Sequence, residues 1–157
     1  MAVRPIPEGY SAVTPYLIVR GGREAIDFYT RALGAEELYR MDAAGGKIGH
    51  AELRIGGGRV MLADEVPEMG AVGPATLGSA GVHLMLYVED VDARFAQALA
   101  AGARETQPVK DRFYGDRSGT FVDPFGYKWT LATHIEDVGP EELERRAREA
   151  FPDQTGG

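Results

Sequence analysis

His50 and Glu52 stand two residues apart in Ile48–Ile55, a run patterned as a β-strand, so their side chains leave the same face. An imidazole beside a carboxylate can serve as an acid–base pair or, with a further donor, as part of a divalent-metal site. Arg54 follows on that face, and a surface interaction between Glu52 and Arg54 is the plainer account of the spacing. His83 shares one face of the expected strand Val82–Val88 with Met85 and Tyr87. There it can ligate a metal, take a proton or hydrogen-bond a ligand, and it can equally be a histidine kept for packing. Tyr114, Asp116 and Arg117 fall in a Gly-containing hairpin, where turn geometry alone accounts for the Gly and the Asp. A guanidinium or phenol reaching a cavity from that hairpin would hold a carboxylate or phosphate through paired hydrogen bonds.

The elements that must position these groups form an internal duplication. Arg59–Asp64 matches Lys128–Thr133, and Thr14–Val19 matches His83–Val88, both at an offset of 69 residues (Met61 to Thr130, Thr14 to His83). After each first strand comes a helical pattern, with Ala25, Ile26, Phe28, Tyr29, Ala32 and Leu33 in one copy and Val91, Phe95, Ala98 and Leu99 in the other. Each stops at Gly-Ala, suited to a left-handed helix end. Three strands follow in each half: about 37–41, 48–55 and 59–63, then about 104–109, 118–122 and 127–133. The expected fold is α+β, a single domain of tandem βαβββ modules forming curved mixed sheets around a cavity. Module one covers 10–64, a Gly- and Pro-rich linker 65–81, module two 82–134, and a C-terminal helix 140–151, with Leu143, Ala147 and Phe151 on one stripe.

Strand alternation divides the side chains into two sets. Leu17, Val19, Ala51, Leu53, Ile55, Val60, Leu62, Leu84, Leu86, Val88, Trp129 and Leu131 are apolar and should pack under the helices. Thr14, Tyr16, His50, Glu52, Arg54, Met61, His83, Met85, Tyr87, Lys128 and Thr130 are polar, aromatic or thioether-bearing. Plain solvation of an antiparallel sheet would give such a set, but two His, two Tyr and two Met together fit a concave ligand surface better. Tyr16, His50, His83 and Tyr87 are expected to line one concavity.

The formal net charge of −7 and the absence of any basic run weigh against nucleic acid. With no cysteine, thiolate catalysis, disulfides and Cys-ligated metal are excluded. No apolar run is long enough for a membrane helix and the N-terminus lacks a signal-peptide core, so a cytoplasmic protein is expected, with no membrane partner. No glycine-rich phosphate loop is found, since Gly56-Gly57-Gly58 joins two strands.

The duplicated unit, Ala25-Ile26-Asp27-Phe28-Tyr29, the strand Val82–Val88 and Asp123-Pro124-Phe125-Gly126-Tyr127-Lys128 resemble the vicinal oxygen chelate superfamily of glyoxalases, bleomycin resistance proteins and extradiol dioxygenases. The Phe113–Arg117 segment and Ala132–Val138 are further similar to its PhnB-like, glyoxalase-like bacterial branch. The resemblance implies four metal-ligand positions, which the repeat locates at Thr14, Met61, His83 and Thr130. Only His83 is an ordinary ligand for a divalent metal, so the inherited site reads as largely lost. The expectation is therefore a small-molecule-binding protein that sequesters a metabolite or drug, with no cofactor. Its ligand-binding residues are drawn from Tyr16, His50, Glu52, Arg54, His83, Tyr87, Tyr114, Arg117 and Thr130. Two alternatives stand beside it: a glyoxalase-like or dioxygenase-like metalloenzyme with a rearranged site of His50, Glu52 and His83, and a metal-free enzyme using His83 as base. An open βαβββ sheet leaves a face and edges to be covered, which points to a homodimer, swapped or unswapped.

Overall fold

A computed structural model of the chain describes residues 2–152. Strand β1 (Tyr16–Val19) leads into helix α1 (Gly22–Leu33), followed by β2 (Glu36–Asp42), β3 (Ile48–Ile55) and β4 (Gly58–Asp64). A one-turn helix α2 (Pro74–Leu77) precedes the second series: β5 (His83–Tyr87), α3 (Val91–Ala101), β6 (Arg104–Asp111), β7 (Asp116–Val122), β8 (Lys128–His134) and a last helix α4 (Pro140–Ala150). Helix α1 buries Ala25, Ile26, Phe28, Tyr29, Ala32 and Leu33, the stripe its spacing predicts. It ends where Gly34 turns left-handed at φ 65° and the Gly34 and Ala35 amides fold back onto Thr30 and Tyr29. Helix α3 begins at Asp90, whose carboxylate accepts from the Ala93 amide at 3.0 Å.

The two sheets have the same order, β1-β4-β3-β2 and β5-β8-β7-β6. In each, the first strand runs parallel to the fourth, with Tyr16 opposite Met61 and Met85 opposite Thr130. Both registers preserve the offset of 69, so the structure reproduces the internal repeat strand by strand. Helices cover one face of the sheets: Leu17, Val19, Ala51, Leu53, Leu62, Trp129 and Leu131 are buried there, while Leu84, Leu86 and Val88 are only partly covered.

The halves are joined by buried polar contacts as well as by packing of α1 against α3. Asp123, 4 % exposed, is the centre of one such joint. Its carboxylate accepts from Tyr29 Oη at 2.5 Å and Trp129 Nε1 at 2.9 Å, and from the Phe125 and Tyr127 amides at 2.9 Å each. Burial raises its pKa, and these four donors oppose that rise. Tyr127 reaches back from the second half to β1, where its hydroxyl accepts from Ile18 N at 3.1 Å and donates to Ile18 O at 2.9 Å.

The segment after β4 is more ordered than its Gly- and Pro-rich composition suggests. The Glu65 carboxylate gathers the Gly73 amide, the Thr76 hydroxyl and the Arg20 guanidinium, which fixes a 3₁₀ turn at Pro67–Met69 and helix α2 in place. At the other end, Arg146 pairs with Glu136 and donates to Phe113 O, and Phe151 packs edge-on against Phe113 at 5.8 Å. Helix α4 is thereby tied to its own chain's β6–β7 hairpin, although Leu143 and Ala147 stay half-exposed.

Candidate functional site

The faces turned away from the helices carry the candidate groups. On the first sheet, Tyr16, Met61, Glu52 and Tyr39 form one cross-strand row, and His50 lies beside it opposite Met41. The Tyr16 hydroxyl lies 2.6 Å from His50 Nδ1, and His50 Nε2 lies 3.4 Å from Glu52 Oε1. A carboxylate can only accept, so the tautomer that satisfies both contacts carries its hydrogen on Nε2 and accepts from Tyr16 at Nδ1. The imidazole sits between two phenol rings, Tyr16 at 5.5 Å and Tyr39 at 6.3 Å between centroids. Burial, and then the negative charge of Glu52, raises the Tyr16 pKa, which keeps it a hydroxyl at neutral pH.

Tyr10, from the segment before β1, adds a third phenol to this corner. Its hydroxyl is buried without a hydrogen-bond partner, and the Arg59 guanidinium lies 4.7 Å from the centre of its ring. Burial and the nearby Glu52 raise its pKa. Sequence reasoning passed over Tyr10 and Tyr39: Tyr10 stands outside any strand, and Tyr39 becomes visible only once β2 is registered against Glu52.

On the second sheet, His83 Nε2 lies 3.1 Å from the Thr130 hydroxyl, which in turn lies 2.8 Å from that of Thr120. Tyr87 donates to Asp116 at 2.9 Å, and this raises its pKa. Asp116 is itself buried and is shared with His134 Nδ1 at 2.8 Å, while His134 Nε2 lies 2.8 Å from Asp137. These two carboxylates raise the His134 pKa. His134 thereby bridges β7 and the segment after β8.

Two expected site residues take other roles. Arg117 turns to the helix side, where its guanidinium forks onto Asp92 at 2.7 and 2.8 Å and also holds Asp111 at 2.9 Å. One step along β7 separates it from Asp116, and alternation puts the two on opposite faces. Arg54 pairs with its cross-strand neighbour Glu36 rather than with Glu52. Tyr114 stays at the hairpin, 41 % exposed and stacked edge-on against Phe113.

Tyr16 and His50 thus belong to one sheet, and His83 and Tyr87 to the other. The approach to β1 meets β5 in a pocket of about 370 Å³ lined by Thr14, Pro15, Met85 and Tyr87 among others. A wider groove of about 890 Å³ runs from Tyr87 and His134 to Arg94 and Gln97. Neither pocket includes Tyr16, His50 or His83.

A family model described as Glyoxalase/Bleomycin resistance protein/Dioxygenase superfamily matches residues 11–131. The chain belongs to this superfamily. It is 43 % identical over 136 residues to an uncharacterised protein of Mycobacterium bovis, an alignment covering 85 % of this chain and 90 % of that one. Among solved structures it is similar to TioX from Micromonospora sp. ML1, with a TM-score of 0.63, 32 % identity and coverage of 80 % and 99 %. The fosfomycin resistance protein FosX from Listeria monocytogenes shares the fold at a TM-score of 0.60 and 19 % identity, with coverage of 85 % and 97 %.

At the four positions that the resemblance implies for metal ligands, the residues do not fit a divalent cation. Thr14 and Thr130 offer neutral hydroxyls and Met61 a thioether, with no carboxylate among the four. Thr130 is already engaged with Thr120 and His83, and Thr14 is turned toward Ser11 O at 3.4 Å. The rearranged alternative fares no better within one chain. His50 and Glu52 adjoin each other, but no group of three or more His, Cys, Asp or Glu able to hold a metal occurs among the described residues.

Proposed function

We propose that the chain is a small-molecule-binding member of the superfamily, holding a planar or aromatic metabolite or drug on its helix-averted sheet faces without a resident metal. One observation carries this reading: the four inherited ligand positions now present two hydroxyls, a thioether and a single imidazole, tied partly to one another, while aromatic and thioether groups surround them. Tyr16 is 45 % exposed, Met85 50 % and Tyr87 58 %, an apolar surface with interspersed polar groups suited to a flat ligand. Covering that surface with a second copy gives the homodimer this reading includes, and the cytoplasmic setting remains part of it.

Methionine methyl resonances test the reading, because Met61 and Met85 lie on the proposed surface and Met69 lies away from it in the turn after β4. Titration with a panel of planar aromatic compounds is expected to move the Met61 and Met85 signals saturably and leave Met69 in place. Signals that stay fixed across the panel, or that move equally at Met69, would contradict a ligand surface here.

A further inference from the structure

We infer that Tyr16, His50 and Glu52 form a proton-accepting subsite for a weakly acidic hydroxyl, such as that of a phenol or enol, on the ligand. The inference rests on the ligand-binding reading and names the chemistry of one corner of that surface.

Three features of the geometry converge. The Tyr16 hydroxyl donates to His50 Nδ1 at 2.6 Å, so the lone pairs of its oxygen are free to accept from a ligand O–H. His50 Nε2 faces Glu52 Oε1 at 3.4 Å, which places a carboxylate where an imidazolium would need one. Tyr39 and Met61 provide ring and thioether surface beside the polar line, so an arene carrying the hydroxyl has an apolar seat. His83 lacks such support, since the Thr130 and Thr120 hydroxyls next to it supply no carboxylate to stabilise a charged imidazole, and both ring nitrogens of His134 on the same sheet already face carboxylates. His50, rather than His83, is therefore the base that the fold supports.

The step balances as a double proton transfer. The ligand O–H bond breaks and its proton passes to Tyr16 Oη, while the proton Tyr16 held passes to His50 Nδ1. The ligand becomes an oxyanion that accepts a hydrogen bond from Tyr16, and His50 becomes an imidazolium facing the Glu52 carboxylate. Tyr16 remains neutral before and after, in keeping with the environment that holds its proton. No electron transfer or further reactant is involved.

The pair 4-nitrophenol and 4-nitroanisole separates this step from simple binding, because the two share a ring and only the first has a proton to give. The full-length protein is titrated with each at the phenol's own pKa, which lies above the ordinary histidine value, following the Met61 methyl signal and the absorbance of the phenolate. Both probes should move Met61, and the ratio of phenolate to phenol should be about tenfold higher for bound than for free 4-nitrophenol, a shift of about one pH unit. His50→Gln keeps an acceptor for Tyr16 but cannot take the proton, and Tyr16→Phe removes the hydroxyl altogether. In both variants bound 4-nitrophenol should lose the enhanced ionisation. Wild type that binds both probes without enhanced ionisation, or His50→Gln that retains it, would overturn the proton-accepting subsite and leave the ligand surface standing. Failure of both probes to move Met61 would overturn both.

Discussion

A carboxylate as buried as Asp123 is tolerated only when its oxygens are filled with donors, and here two come from side chains and two from its own turn. Tyr29→Phe removes one donor and leaves the rest in place, so it should lower stability by about 1–3 kcal/mol in a urea titration. The turn at Asp123-Pro124-Phe125-Gly126 was legible in the sequence because Pro and Gly mark turns by their backbone geometry. Its role as a joint between halves was not, since Tyr29 lies 94 residues away. The same limit hid the Asp116–His134–Asp137 bridge. His134 has a raised pKa in the folded chain, so its stabilising contribution is complete below the ordinary histidine value and is lost as pH rises through the raised one. His134→Gln should therefore reduce the melting temperature relative to wild type at about pH 5.5, and the gap should narrow by about pH 9. A gap that widens with pH would show that the two carboxylates do not hold the charged imidazole. His50 and Glu52 were identifiable from a spacing of two, but Tyr16 as the hydrogen-bonding partner of His50 requires the register that lays β1 beside β4 and β4 beside β3.

At the scale of elements, β1 is an edge strand of four residues whose outer backbone groups would otherwise be left for solvent or another chain. Tyr127 closes that edge by taking both the N–H and the C=O of Ile18 through one hydroxyl. Tyr127→Phe should lower stability by about 1–2 kcal/mol and speed amide exchange at Ile18 selectively, with amides in β3 unchanged. Uniform acceleration across the first sheet would point instead to global destabilisation. The strands themselves were readable because buried and solvent-facing residues alternate at period two, and the helices because their apolar stripes recur at three and four. The segment from Glu65 to Gly81 was read as a linker because its order comes from a single carboxylate, Glu65, rather than from periodicity. Arg117 shows the converse failure. Its place in a hairpin suggested a reach into the cavity, whereas one residue of alternation sends it to Asp92 on the first turn of α3.

For the whole molecule, the offset of 69 residues foretold two sheets of identical order, since each half needs the same arrangement to bury the same apolar set. What a single sequence does not reveal is how the helix-averted faces are covered, because both leave Tyr and Met side chains about half exposed. If a second copy covers them, light scattering at micromolar concentration should return about twice the chain mass of 17.0 kDa. A mass of one chain would leave each face open and confine the ligand to a single sheet. The central claim is that this member of the superfamily binds its ligand without a resident metal, and elemental analysis tests it most directly. Protein purified in the absence of chelator should carry well under one equivalent of zinc, nickel, manganese or iron, in wild type and His83→Ala alike. A stoichiometric metal in wild type that disappears in His83→Ala would contradict the account.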